Sequence, residues 1–327
     1  MAGCLAGLAL GDSLGRATEF MTRESIRATH GWLTDFAAPS THHPGHADPL
    51  GVVTDDSTQA LMIARLLAEG GALTPPRMAA ALTAWSREAG GLDNPYLGPS
   101  TRQALRALMD GANPAETGRK GTTNGGAMRV APIGVAHALA PGGSLAGCLR
   151  DVIAATTPTH NTHAGMQGAV CVAFAAHAAA QPGATLAGIL EAAQAGAREG
   201  RRHGVWSWYT PLDGRIALAR RLVAETADRD AALDALYAGI GVGLDPAESV
   251  AAAFGVLALA DGEPMAALQA GINLGGDTDT VAAIVGAISG AWQGIAAFDP
   301  ASLARVEAVN GLDFRALAAA TLTGARA

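Results

Sequence analysis

The chain has 327 residues, 49% of them hydrophobic and 16% charged, with a formal net charge of -7. That composition excludes a disordered polyelectrolyte and supplies a sizeable core. The negative balance excludes an extended nucleic-acid surface, which needs clustered Lys and Arg. Alanine supplies about a quarter of the residues and aromatic side chains only 4%. An all-α fold is therefore expected.

In chain order, the start "MAGCLAGLALGDSLG" is apolar but lacks a basic leader, and Asp12 interrupts it. Later apolar runs are broken by His, Pro or charge before they reach bilayer-spanning length. A soluble, unprocessed, cytoplasmic protein is the expectation. The three cysteines, Cys4, Cys148 and Cys171, sit in no zinc or CxxC spacing and fit a reducing compartment. Within "GDSLGRATEF", pattern alone reads Asp12 as the end of a short helix and Glu19 as a solvated side chain. Residues 36–53 form a Pro/Gly/His-rich loop carrying His42, His43 and His46. These could bind zinc, but without a Cys partner or regular spacing they read as a solvated loop.

Helical periodicity follows in "STQALMIARLLAEG", "PPRMAAALTAWSREAG" and "STRQALRALMDG". A second irregular, glycine-rich stretch covers 113–134. Helices are then predicted in "SLAGCLRDVIAATT", "HAGMQGAVCVAFAAHAAA", "ATLAGILEAAQAGAREG", "ESVAAAFGVLALADG" and "TVAAIVGAISGAWQG". Several start at Ser, Thr or Pro and stop at Gly. Gly286 and Gly290 would let the last of these approach a neighbour closely. The aromatic cluster Trp206, Trp208 and Tyr209 suits either base stacking or core filling. Without a linker-like composition shift or a fixed-period repeat, residues 1–327 read as one domain.

Two helix mouths are rich in oxygen: Thr54, Asp55 and Asp56 in "VVTDD", and Asp277, Asp279 and Thr280 in "GGDTDT". Each alone suits N-capping, where acids complement the helix dipole. Together, on a chain poor in charge, they supply the hard oxygen donors that Mg²⁺ or Mn²⁺ prefer. Four acids gathered without compensation would repel one another and hold their protons. A metal pair removes that penalty.

These motifs, with "GCLAGLALGDSLGRATEF", "GTTNGGAMRVAPIGV" and "PTHNTHAGMQGA", resemble in content and order the ADP-ribosylglycohydrolases, the family of the dinitrogenase-reductase-activating glycohydrolase. The resemblance implies a compact all-α domain with two Mg²⁺ or Mn²⁺ ions in a cleft, held by Thr54, Asp55, Asp56, Asp277, Asp279 and Thr280. It further implies Glu19 beside the metals as gate, ligand or catalytic carboxylate, with Asp56 and Asp279 as the other candidates for acid or base, and Asp12 in support. Asn124, Gly125, Gly126 and Met128 are implied at the substrate's diphosphate and ribose. His160 is implied near the same cleft, with His163 a weaker candidate.

The sequence departs from arginine-directed members at "NPYLGPSTRQAL", where Tyr96 stands in place of an acid that orients the modified arginine. Asp93 is near enough in sequence to substitute. Val53 replaces an aromatic residue before "TDD". The expected reaction is metal-dependent hydrolysis at the anomeric ribose carbon of an ADP-ribosylated protein or a small ADP-ribosyl metabolite, releasing ADP-ribose. The alternatives are an N-ribosidase acting on a nucleoside or ribosylated metabolite, a non-catalytic ADP-ribose binder, and a two-metal phosphoesterase, which would want a His/Asp ligand mixture.

Overall fold

The computed structural model describes residues 1–325. Among them are seventeen α-helices and no strand, with one isolated bridge between Thr162 and Val205. The helices are α1 Ala2–Gly15, α2 Arg23–His30, α3 Asp55–Ala68, α4 Pro75–Glu88, α5 Pro99–Met109, α6 Pro114–Thr117, α7 Ala131–Leu139, α8 Leu145–His160 and α9 His163–Ala179. They continue as α10 Leu186–Gly200, α11 Leu212–Ala224, α12 Arg229–Gly239, α13 Pro246–Leu259, α14 Pro264–Ile272, α15 Thr278–Gln293, α16 Pro300–Asn310 and α17 Phe314–Gly324. All-α is the observed class. No helix among the described residues is long and apolar enough to cross a membrane.

Each periodic stretch became a helix, and hydroxyl caps set several starts: Thr74, Ser144, Thr162 and Thr185 each accept a backbone N–H from the first turn. The irregular stretch 113–134 is shorter than expected. It ends where α7 begins at Ala131, with Pro132 in the first turn, where a missing N–H costs nothing.

The core is organised by α1, which is buried from Gly3 to Gly15 on all sides. Its glycines recur every four residues and face α15. A Cβ on Gly3, Gly7 or Gly11 would lie 2.1 Å from the carbonyl oxygen of Gly290, Gly286 or Ala282, respectively. On Gly15 it would lie 2.5 Å from Cα of Asp279. The falling order of partners makes the pair antiparallel, and backbone-to-backbone contact leaves no room for a side chain. The end of α1 is thereby fixed beside the start of α15.

Gly7→Ala should therefore force the two backbones apart and cost about 1–3 kcal/mol or more. It would be read as a lower urea midpoint at unchanged m-value. Gly214→Ala in α11, whose Cβ would meet nothing within 4 Å, should leave the midpoint nearly unmoved or raise it. Equal effects from the two substitutions would contradict the close-packing account.

Candidate metal and substrate site

Three chain segments converge at the mouth of the α1/α15 pair. Asp12, on the last turns of α1 and fully buried, accepts the backbone N–H of Thr54 at 3.0 Å and of Ser57 at 3.0 Å, together with the Ser57 hydroxyl. It therefore caps α3 from another helix. Burial raises its pKa to about 6 despite those donors. The reading of Asp12 as the end of a short helix is corrected: it lies inside the last turn of α1, which runs to Gly15, and ties that helix to α3.

With Asp12 and the Thr54 hydroxyl supplying the cap, Asp55 and Asp56 are left for other work. Asp55 accepts the Gln59 amide at 2.9 Å. At α15, Asp277 occupies the cap position but makes no side-chain cap bond. Instead its carboxylate accepts the Asn124 amide, which also donates to Ser249 Oγ at 2.8 Å. N-capping thus accounts for Thr54 and leaves both acid pairs unexplained.

Glu19 reaches the same place through a strained turn. Phe20 adopts φ +60°, its N–H donates to the Gly276 carbonyl at 2.7 Å, and the Gly276 N–H returns to Met21 at 2.9 Å. A bulky residue in the left-handed region is held there only when its surroundings demand it. Glu19 is consequently not a solvated side chain. It offers a carboxylate oxygen within 4.8 Å of oxygens from Asp277 and Asp279.

Asp55, Asp56, Asp277, Asp279 and Thr280 line one cavity with Glu19, and among the described residues no Lys, Arg or His lines it. The buried oxygens Asp56 Oδ1 and Asp279 Oδ1 have no hydrogen-bond partner. Burial, then mutual repulsion, holds Asp55, Asp56 and Asp279 protonated well above the usual carboxylate range, and burial with the charge of Glu19 lifts Asp277 to about 7. Two helix N-termini point at the cluster, but their partial charges are too small to balance five acids. Orphaned hard oxygens, packed acids and no local cation fit a divalent metal. The cluster can bind metal.

The other expected site residues divide. Asn124, Gly125, Met128 and Tyr96 line the cavity. Gly126 and His160 are buried behind its wall: a Cβ on Gly125 would lie 2.9 Å from His160 Cε1, and one on Gly126 would lie 3.3 Å from its Cβ. His160 supports the glycine loop from beneath, its Nε2 meeting Thr123 Oγ1 at 3.0 Å. Burial and the nearby Arg129 push its pKa well down, so it is neutral. His163 lies outside the cavity, edge-on to Tyr209 with ring centroids 5.9 Å apart. Trp206 and Trp208 fill no core, being 80% and 82% exposed.

Two residues prove central, one that the sequence did not single out and one that it read as part of a solvated loop. Arg129, fully buried, donates to Gln59 Oε1 at 2.6 Å and to Thr159 Oγ1, which meets His160 Nδ1 at 2.8 Å. A continuous chain therefore runs from Asp55 through Gln59, Arg129, Thr159 and His160 to Thr123 on the glycine loop. The second is His43. It is buried, and its Nε2 lies 2.6 Å from Glu19 Oε2. Neither zinc binding nor a solvated loop describes it.

At the rim, Tyr96 does not replace the missing acid. Its hydroxyl donates to Asp48, which also pairs with the buried Arg16 at 3.2 Å. Asp93 is exposed and lies off the cavity lining.

The chain is 33% identical over 320 residues to uncharacterized protein YegU of Escherichia coli strain K12, covering 97% of this chain and 95% of that one. It is 26% identical over 324 residues to the ADP-ribosylhydrolase ARH3 of Bos taurus, covering 90% and 84%. A solved structure described as an ADP-ribosylglycohydrolase-related protein complex shares the fold, with a TM-score of 0.69 over 99% of this chain and 97% of that one at 24% identity. The family model for ADP-ribosylglycohydrolase matches residues 1–327. With its match unbroken along the whole chain and the fold shared, the protein belongs to the ADP-ribosylglycohydrolase family, hydrolases of ADP-ribosyl linkages.

Proposed function

We propose that this single-domain chain, in a complex with two Mg²⁺ or Mn²⁺ ions, releases ADP-ribose from substrates whose leaving group carries no guanidinium. The observation that carries the reading is the lining of the cavity: five acids, two of them with orphaned buried oxygens, and no neutralising side chain among the described residues. Asp55, Asp56, Asp277, Asp279 and the hydroxyls of Thr54 and Thr280 would hold the ions, which supply positive charge for ribose hydroxyls and for activating water.

The chain's own residues do the rest. Asn124 orients Asp277 and keeps its carboxylate turned to the cavity. Gly125 and Gly126, lacking Cβ atoms, allow a phosphate close approach to backbone N–H groups. Glu19 is the carboxylate free to take a proton from water as the anomeric bond opens through an oxocarbenium-like state. Asp56 and Asp279 are the alternatives for that step, though their oxygens are also the metal donors.

The restriction on the leaving group rests on the rim. Pro95, Tyr96, Leu97 and Pro99 line it, and the carboxylate that Tyr96 engages, Asp48, is already paired with Arg16. A guanidinium leaving group would find no free acid there. Serine-linked and O-acetyl-ADP-ribose substrates should therefore turn over at least about tenfold faster, in kcat/KM, than arginine-linked ones. The check is ADP-ribose release from each with Mg²⁺, with Mn²⁺ and with chelator. Faster arginine-linked turnover would refute the restriction.

A second reading is kept by one observation: with no cationic side chain among the described residues lining the cavity, a diphosphate would depend on backbone and neutral side-chain groups. Nucleosides in the same assay test it, since free base released faster from nucleosides than ADP-ribose from any conjugate would make the protein an N-ribosidase. Binding of ADP-ribose without turnover of anything would make it a binder.

A further inference from the structure

The loop that carries His43 is folded back onto the site by a buried cation. Arg16, following α1, donates to the carbonyls of Gly45 at 2.8 Å and Pro49 at 3.1 Å and pairs with Asp48. The Tyr96 hydroxyl, on the cavity lining, donates to the same carboxylate. Gly45 is fitted to this latch, since a Cβ there would lie 1.8 Å from the Tyr96 hydroxyl oxygen. Two segments distant in sequence thus hold one short loop in one position.

Within that loop the hydrogen-bond partners assign the imidazole. The Gly45 N–H donates to His43 Nδ1 at 3.0 Å, so Nδ1 keeps its lone pair. The ring hydrogen then sits on Nε2, which donates to Glu19 Oε2 at 2.6 Å. A histidine with both nitrogens committed does not exchange protons with a substrate, and His43 does not line the cavity, whereas its neighbour Pro44 does. Its single outward act is to hold one oxygen of Glu19.

We propose that His43 is a positioning residue for Glu19: its Nε2–H fixes the carboxylate's rotamer against the acidic cluster, and Arg16, Asp48 and Tyr96 hold the loop that delivers it. This rests on the reading of Glu19 as a working carboxylate. The strained Phe20 turn fixes the backbone of Glu19, and His43 fixes the side chain. Without the second restraint a flexible carboxylate beside four other acids would swing toward solvent, away from repulsion.

The experiment compares the metal-loaded wild type with His43→Ala and His43→Gln. Loss of an outer hydrogen bond to a working carboxylate should lower kcat about 10–100-fold in His43→Ala. KM should change little, because ground-state binding is not what is lost. His43→Gln should recover most of that loss, because its amide nitrogen falls near the place of Nε2 and also donates. Separately from turnover, ¹⁵N-histidine spectra of the wild type, assigned by the signal missing in His43→Gln, should show His43 protonated at Nε2 and bare at Nδ1.

Wild-type kcat in His43→Ala overturns the proposal, as does equal impairment of His43→Gln at equal folded fraction, or a ring protonated at Nδ1. Should the wild type turn over none of the offered substrates, the functional reading fails, and the nitrogen spectrum alone then decides for or against the contact.

Discussion

Asp279→Asn should lower turnover about a thousandfold, equivalent to ~4 kcal/mol of lost transition-state stabilisation, while making the metal-free protein more stable. Asp279 sits at the start of α15, buried, with Oδ1 unpartnered and acids on every side. Ionised and without a cation, it is a cost to the fold. An amide keeps the shape and needs no proton to be neutral among its acidic neighbours, so in chelator at neutral pH the variant should gain about 1–3 kcal/mol. In saturating Mg²⁺ or Mn²⁺ the order should reverse, because the wild type gains binding energy that the variant has lost. Thermal melts with and without metal read both signs, and a variant less stable than wild type in chelator would sink the account of the cluster as a metal site.

The pH dependence has a definite direction. The folded chain holds protons on Asp277 up to about 7, and on Asp55, Asp56 and Asp279 well above their ordinary values. The unfolded chain releases them near the usual carboxylate pKa of about 4. Since the folded state binds more protons, metal-free stability is fully present below that value and falls as pH rises toward and past 7. Added metal should abolish much of that slope. Asp279→Asn should flatten it in chelator.

The acids themselves were legible in the sequence because charge is scarce and both pairs sit at helix mouths, next to the glycines and hydroxyls that such mouths favour. Their convergence was not, because it depends on α1 and α15 meeting backbone to backbone in antiparallel register. Gly3, Gly7, Gly11 and Gly15 carry that signal at four-residue spacing, yet an alanine- and glycine-rich helix buried on all sides has no polar stripe to announce which face it packs. Short helices such as α12, α16 and α17 have capping acids at Asp228, Asp299 and Asp313, but their apolar residues, many of them alanine, form no strong one-sided stripe, so periodicity passes over them. His43 was hidden for a different reason. Its loop is held against Glu19 by Arg16 and Tyr96, contacts that no local spacing encodes. His160 shows the converse: its motif was visible, but only packing reveals that the ring lies under the glycine loop rather than beside a ligand.

Arg129 gives the second large effect. Its guanidinium is fully buried, and burial lowers its pKa to about 10, still leaving it charged at neutral pH with Asp55 as the nearest favourable charge. Removing one member of such a buried, hydrogen-bonded charge network typically costs about 3–5 kcal/mol. Arg129→Met keeps much of the volume but strands Gln59 Oε1 and removes the cation's bonds to the Ala155 carbonyl and Thr159 Oγ1, so a loss in that range is expected in chemical denaturation. Arg129→Lys separates charge from geometry: it retains the cation but cannot span Gln59 and Thr159 with a planar fork. If the chain from Asp55 to Thr123 orients the site, folded Arg129→Lys should lose about 10–100-fold in metal affinity, as outer hydrogen-bond partners of metal ligands generally do. Metal titration by calorimetry on the folded variant measures it. Wild-type metal affinity in Arg129→Lys would reduce Arg129 to a core residue, with Gln59 alone holding Asp55 in place.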